Sequence, residues 1–279
     1  MKIAFIGGGN MGEAMLSAIL KLPNPPPAIS ISDISDMRRL YIEQEYGQKY
    51  STTSVSVTAS NRLAAEKSDI VVLAIKPQDL AGVMAELRGQ LKPSQVVLSI
   101  IAGARINTLC LGLNHSRVIR VMPNTPARIG QGISVWTATP QVTERQKKWA
   151  GSILGAMGKE IYVDDEKYLD MATAVSGSGP AYVFLFVESL VDAGVHIGLP
   201  REMAQELVLQ TLLGSALFVE KSGKSPAELR AMVTSPGGTT AEALRQFEKG
   251  RFSELVKQAV SAAYEKAKIL GGSVGADSA

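Results

Sequence analysis

The sequence predicts an α/β, doubly wound N-terminal domain followed by an all-α domain. Three observations carry this. A glycine-rich turn, Gly7-Gly8-Gly9-Asn10-Met11-Gly12, joins the apolar run Ile3-Ala4-Phe5-Ile6 to a helical pattern. Short apolar runs then alternate with helical stretches as far as residue 163. Beyond about residue 164 the strand signal stops and helical periodicity alone remains. Strands alternating with helices at this spacing give a mostly parallel sheet with right-handed crossovers.

Residues 3–6 are the first strand, and the first helix carries Met11, Ala14, Met15, Ala18 and Ile19 on one face. Strand, G-x-G-x-x-G and helix stand in the order of a Rossmann-like dinucleotide site. Gly7 allows the tight turn, Gly9 lets the pyrophosphate approach the backbone, and Gly12 lets helix and strand pack closely. The plain alternative is a glycine-rich turn that binds nothing. After a stiff loop (Pro23, Pro25, Pro26, Pro27), Ile29–Ser32 reads as the second strand, closed by Asp33. An acidic residue there is placed to accept hydrogen bonds from the adenosine ribose, which favours NAD. Arg38 or Arg39, beside Ser32 and Ser35, could instead meet a 2′-phosphate, which favours NADP, or be exposed helix charges. The cofactor choice stays open.

A polar helix over 37–46 ends near Gly47; Val55–Val57 is the third strand and a helix follows to Lys67. Asp69–Ile75 is a near-continuous apolar run, as expected of a parallel strand buried on both faces. It ends in Lys76-Pro77, at the carboxyl edge where doubly wound sheets bind ligands. Lys76 either touches cofactor or substrate there or reaches solvent. Gln95–Ile101 is the next strand, with the small residues Ala102-Gly103-Ala104 behind it. Val118–Met122 ends in Pro123-Asn124-Thr125-Pro126, again at a carboxyl end. Gly132–Trp136 and Glu160–Val163 are the last strands, around an amphipathic helix over 143–157 with Thr143 as N-cap.

In the helical part, residues 166–175 form a helix that Gly177-Ser178-Gly179-Pro180 is expected to break. The next helix, from Pro180 to about His196, is apolar on nearly every face and must be covered, most simply by a second subunit. Further helices are expected over 200–219, 225–233, 240–249 and 253–269. Ser235-Pro236-Gly237-Gly238-Thr239-Thr240 is a turn opening a helix; its N–H groups and hydroxyls suit a carboxylate and one further polar atom. It also reads as a simple helix cap. The expected domains are 1–164 for nucleotide, 165–270 for substrate and dimerisation, and a disordered Gly/Ser/Ala-rich tail over 271–279.

Composition narrows the classes. With 29 Lys+Arg scattered against 26 Asp+Glu, no nucleic-acid footprint appears. One cysteine, Cys110, excludes an internal disulfide, and two histidines, His115 and His196, argue against a metal site. No uncharged apolar run of about 18 residues and no leader pattern appear, so a cytoplasmic location without membrane spans is expected.

Taken together, the glycine turn, Ala74-Ile75-Lys76-Pro77, Arg120-Val121-Met122-Pro123-Asn124-Thr125-Pro126, Ser176-Gly177-Ser178-Gly179-Pro180-Ala181-Tyr182 and Ser235–Thr240 closely resemble the Δ1-pyrroline-5-carboxylate reductases. The match runs in order over about residues 1–270. The resemblance implies reduction of a cyclic imine to L-proline with NADPH (NADP) or NADH (NAD). It implies that Ile6, Gly7, Gly8, Gly9, Asn10, Met11, Gly12, Asn61, Ala74, Ile75, Lys76, Pro77, Ile100, Ile101 and Ala102 line the cofactor; Asp33, which departs from the ends seen in strictly NADP-preferring members, and Asn124 join them by their place at carboxyl ends of strands. Glu166, Val233, Ser235, Gly237, Gly238, Thr239 and Thr240 would line the substrate. The N–H groups of Gly238 and Thr239 would hold its carboxylate, and Thr240 Oγ its imine nitrogen. It also implies a homodimer through the C-terminal helices, with dimers building a decamer. Two rivals are a β-hydroxyacid-type dehydrogenase, whose catalytic lysine the 180–196 helix lacks, and a non-catalytic NADP sensor.

Overall fold

In the computed structural model, which describes residues 1–47, 49–50 and 52–273, the apolar runs become one eight-stranded sheet. Its strands are β1 (Ile3–Ile6), β2 (Ala28–Ser32), β3 (Ser54–Thr58), β4 (Ile70–Leu73), β5 (Val96–Ser99), β6 (Val118–Met122), β7 (Gly132–Ala138) and β8 (Gly158–Tyr162). They lie in the order β3-β2-β1-β4-β5-β6-β7-β8. All neighbours are parallel except β6 and β7. The link between those two is too short for a crossover helix, so the chain turns straight back.

The central strands β1, β4 and β5 are buried along their whole length because helices cover both faces. These are α1 (Asn10–Leu20), α2 (Asp36–Tyr46), α3 (Asn61–Ala65), α4 (Leu80–Leu87), α5 (Ile106–Leu113) and α6 (Glu144–Gly155). Side chains alternate across a strand. Ile3 and Phe5 therefore join Met15 and Ile19 of α1, Ile42 of α2 and Ile153 of α6 in one core. Ala4 and Ile6 join Ala64 of α3, Leu87 of α4 and Leu109 of α5 in the other. Helices α4 and α5 were not anticipated; each is only eight residues long, which leaves little room for a periodic signal. Thr143 caps α6 as expected, in a reciprocal box with Gln146.

After β8 come α7 (Lys167–Ala172), α8 (Gly179–His196), α9 (Arg201–Ser222), α10 (Pro226–Met232), α11 (Thr239–Lys249) and α12 (Phe252–Ser273). The expected break at Gly177–Pro180 falls at a bend at Ser178, and α8 starts at Gly179 with Pro180 in its first turn, where a missing N–H costs no helical bond. Ahead of the bend lies a π-helical turn over Thr173–Gly177, with Ser178 N–H donating to Thr173 O, five residues back, at 2.8 Å. Gly177 is needed there for space: a Cβ would sit 2.6 Å from Met122 Cε.

The chain divides into two compact units, Met1–Ser178 with the segment from Ala263, and Gly179–Ala262. The division falls after the expected boundary at 164/165 because Leu169, Asp170 and Ala174 are buried with the sheet. The expected tail also starts too early: Gly271 to Ser273 end α12, while residues 274–279 lie outside the described residues. Helix α8 is not covered within one chain. Val183, Phe184 and Leu185 are exposed, and only Val191 of the helix is buried. By length and composition the stretch Lys167–His196, with a window of mean hydropathy 1.3, could cross a membrane.

Candidate active site

The strand order reverses between β1 and β4, and ligands of such sheets bind beyond the carboxyl ends at that point. A cavity of about 380 Å³ opens there. It brings together the expected Gly7, Gly9, Asp33, Asn61, Ala74, Ile75 and Lys76. Ser32, noted beside Asp33, and Ile34, Gln78, Asp79 and Val83, whose types had not marked them, complete it.

The three motif glycines are required for different physical reasons. Gly7 has φ +98°, and a Cβ on it would lie 2.6 Å from Ala74 O. On Gly12 a Cβ would lie 2.5 Å from Gly7 O, so any side chain would push α1 off the strand. On Gly9 a Cβ would meet nothing within 4 Å. Gly9 is thus the place where the backbone borders open space. The N–H groups of Asn10, Met11 and Gly12, in the first turn of α1, have no carbonyl a turn back within the helix. Open space over free N–H groups fits a pyrophosphate.

Other expected cofactor residues have prior commitments. Ile6 and Ile101 are packed in the core and present no side chain. Met11 rests half-buried on the other core, and Asn124 Oδ1 accepts from Ile133 N–H at 2.9 Å. Pro77, Ile100 and Ala102 are not among the cavity's walls. Gly103, with φ +76°, packs against Leu270, where a Cβ would lie 3.1 Å from that residue's backbone. Lys76 is exposed at the cavity. Asp33 serves the turn: Oδ2 accepts from Gly8 N–H at 2.9 Å and Oδ1 from Ser35 N–H at 2.9 Å. Each oxygen retains a lone pair for a ribose hydroxyl. Ser32 Oγ donates to Asn61 Oδ1 at 2.7 Å, fixing that amide, whose Nδ2 donates to Glu86 at 2.7 Å. Arg38 bonds Gly8 O and pairs with Glu13; Arg39 donates to Asp33 O at 2.7 Å and pairs with Asp36.

Glu166 belongs to a buried charge network. Its Oε1 accepts from Arg120 Nη1 at 2.8 Å and from Ile106 N–H at 2.8 Å. Arg120 Nη2 reaches Asp170 at 3.0 Å, and Arg105 reaches the other oxygen of Asp170 at 3.1 Å. A charged residue inside the apolar strand sequence Val-Ile-Arg-Val-Met was the available signal for this network. Neither histidine is among the cavity's walls. His115 is buried with Nε2 2.9 Å from Gln95 O, and burial pushes its pKa down. Among the described residues no group of three His, Cys, Asp or Glu could hold a metal. Cys110 packs against a core cluster, and burial raises its thiol pKa.

In the helical unit, Gly237 takes φ +71° and Gly238 caps α11. The expected role of Gly238 N–H needs correction. It donates to Ser235 O at 3.1 Å, closing the turn. The donors left are those of Thr239, Thr240 and Ala241, at the first turn of α11. Val233 ends α10 and is exposed.

A Gly-rich turn at the switch point of one unit and an uncovered apolar helix in the other define the class: a two-unit, dinucleotide-binding protein of the oxidoreductase kind. Comparisons with known proteins narrow this. Residues 2–103 match the model described as NADP oxidoreductase, coenzyme F420-dependent. Residues 166–270 match the model for pyrroline-5-carboxylate reductase dimerisation, which accounts for the bare apolar surface of α8. A pyrroline-5-carboxylate reductase of Pseudomonas aeruginosa is 42% identical over 98% of both chains, and one of Arabidopsis thaliana 38% identical over 98% and 96%. A solved pyrroline carboxylate reductase of Plasmodium falciparum with NADP bound superposes with TM-score 0.84 at 36% identity, covering 97% and 98% of the chains. The chain belongs to the pyrroline-5-carboxylate reductase family.

Proposed function

We propose that the chain reduces Δ1-pyrroline-5-carboxylate to L-proline with NADPH or NADH, the last step of proline biosynthesis. The observation that carries this is the 42% identity, end to end, with a relative bearing that activity in its name. The open space over Gly9 and the free N–H groups of α1 support the nucleotide half of the reading.

When bound, the reduced nicotinamide supplies the hydride. Asn10, Met11 and Gly12 would hold the pyrophosphate by backbone N–H groups, and Asp33 the ribose. For the substrate, Thr239, Thr240 and Ala241 N–H groups would hold the carboxylate at the positive end of α11. The imine nitrogen is basic, so its protonated form is already a good hydride acceptor. Little acid–base work is left to the protein, and holding both reactants supplies much of the rate. The Thr240 hydroxyl is far too weak an acid to protonate the imine; its role is to orient the nitrogen or pass a proton through water. By the same reading two chains pair through α8, and dimers assemble into a decamer; the solution mass separates these states.

The test is oxidation of NADPH and of NADH, followed by absorbance, with pyrroline-5-carboxylate. Saturable turnover is expected with at least one nucleotide. Absence of turnover with both would remove the reading.

A further inference from the structure

The turn that holds the phosphates is itself held, on both sides of one residue. Gly8 N–H donates to Asp33 Oδ2 at 2.9 Å, and Gly8 O accepts from Arg38 Nε. A trans peptide points its C=O and N–H in opposite directions. By fixing Gly8 O, Arg38 therefore turns Gly9 N–H away from itself. The glycine seat is tight behind, since a Cβ on Gly8 would lie 2.4 Å from Ile42 Cδ1.

Arg38 is committed within the fold on three sides. Its Nη2 pairs with Glu13, and its guanidinium carbon lies 4.8 Å from the Tyr41 ring centroid. Glu13 is anchored in turn by Tyr41 Oη at 2.9 Å and Tyr46 Oη at 3.1 Å. Burial pushes the Glu13 carboxyl up, but Arg38 and the two phenols outweigh it and hold it below the usual range. Swinging Arg38 out to a ribose 2′-phosphate would take from that carboxylate its cationic partner. It would also release Gly8 O.

We infer that Arg38 is a positioning residue for the phosphate-binding turn and does not read the ribose 2′ position. This rests on the dinucleotide reading above. The two roles make opposite predictions. A reader of the 2′-phosphate affects NADP alone; a clamp on Gly8 affects NADP and NAD alike, because both carry the same pyrophosphate.

The experiment is calorimetric titration of the full-length protein with NADP+ and, separately, NAD+. Arg38→Ala is expected to raise both Kd values about tenfold, equivalent to about 1.4 kcal/mol, with their ratio unchanged within about twofold. Arg38→Lys is expected to behave like Arg38→Ala, because an ammonium cannot span two acceptors as the guanidinium fork does. Loss confined to NADP+, restored by Arg38→Lys, would overturn the inference, as would unchanged affinities. Should Arg38→Ala not fold, Glu13→Gln loosens the anchor while keeping the arginine. It is expected to weaken both nucleotides; a gain for NADP+ alone would show a freed 2′-phosphate reader and overturn the inference. A wild-type protein that binds neither nucleotide would remove the dinucleotide reading itself.

Discussion

Replacing Arg120 by Met tests whether the buried charge network supports the sheet unit. Arg120 is 3% exposed, and its partners Glu166 and Asp170 have side chains 24% and 6% exposed. Removing one partner of a buried ion pair costs about 3–5 kcal/mol, chiefly because the other charge is left uncompensated. Here Asp170 keeps Arg105 at 3.1 Å and Glu166 keeps Ile106 N–H at 2.8 Å, which places the cost at the lower end. A loss of about 3 kcal/mol lowers the thermal midpoint by roughly 6–12 °C in a domain of this size. Melting followed by circular dichroism, at one fixed protein concentration because subunit association contributes, reads this directly. The double variant Arg120→Met with Asp170→Leu should recover part of the loss, since Arg105 is partly exposed and can turn to water. A fall of less than about 2 °C for Arg120→Met would refute the reasoning.

Gly9→Ala should fold with an unchanged midpoint but bind NADP+ and NAD+ at least about tenfold more weakly, because the added methyl enters open space meant for phosphate. Gly12→Ala should also lose about 1–3 kcal/mol of stability, because its methyl would lie 2.5 Å from Gly7 O; equal midpoints for the two variants would contradict the glycine roles. Thr240→Ala should lower turnover while Thr240→Ser largely preserves it, and wild-type kinetics in both would remove the hydroxyl from the reaction. His115, held neutral by burial, has a folded pKa below its unfolded value of about 6.5. The unfolded chain therefore binds the proton first, so its contribution is full above about pH 6.5 and declines as the pH falls below it. His115→Gln should flatten urea-measured stability on the acid side of that value; an unaltered slope would show that the imidazole does not set it.

Strands β1, β4 and β5 were legible because burial on both faces leaves near-pure apolar runs such as Ile70–Leu73. Gly7, Gly9 and Gly12 were legible because a backbone approach leaves a residue type that nothing else can replace. What escaped was chemistry made by long-range meeting. Arg38 reads equally as a surface helix charge or a phosphate ligand until Gly8 O and Glu13 are seen beside it. Gly238 N–H looks free in sequence, yet the local turn takes it for Ser235 O. The π-helical turn over Thr173–Gly177 also escaped, because no residue type announces it.

The end of α12 has a consequence for how the protein is made. Arg105 Nε donates to Gly271 O at 3.1 Å, across 166 residues of sequence, and Gly103 lies against Leu270. During synthesis the sheet emerges from the ribosome first, and domains generally fold as they appear. The seam at Gly103–Arg105 is closed by Leu270 and Gly271, so a chain cut short of them exposes that seam and offers proteases a place to start.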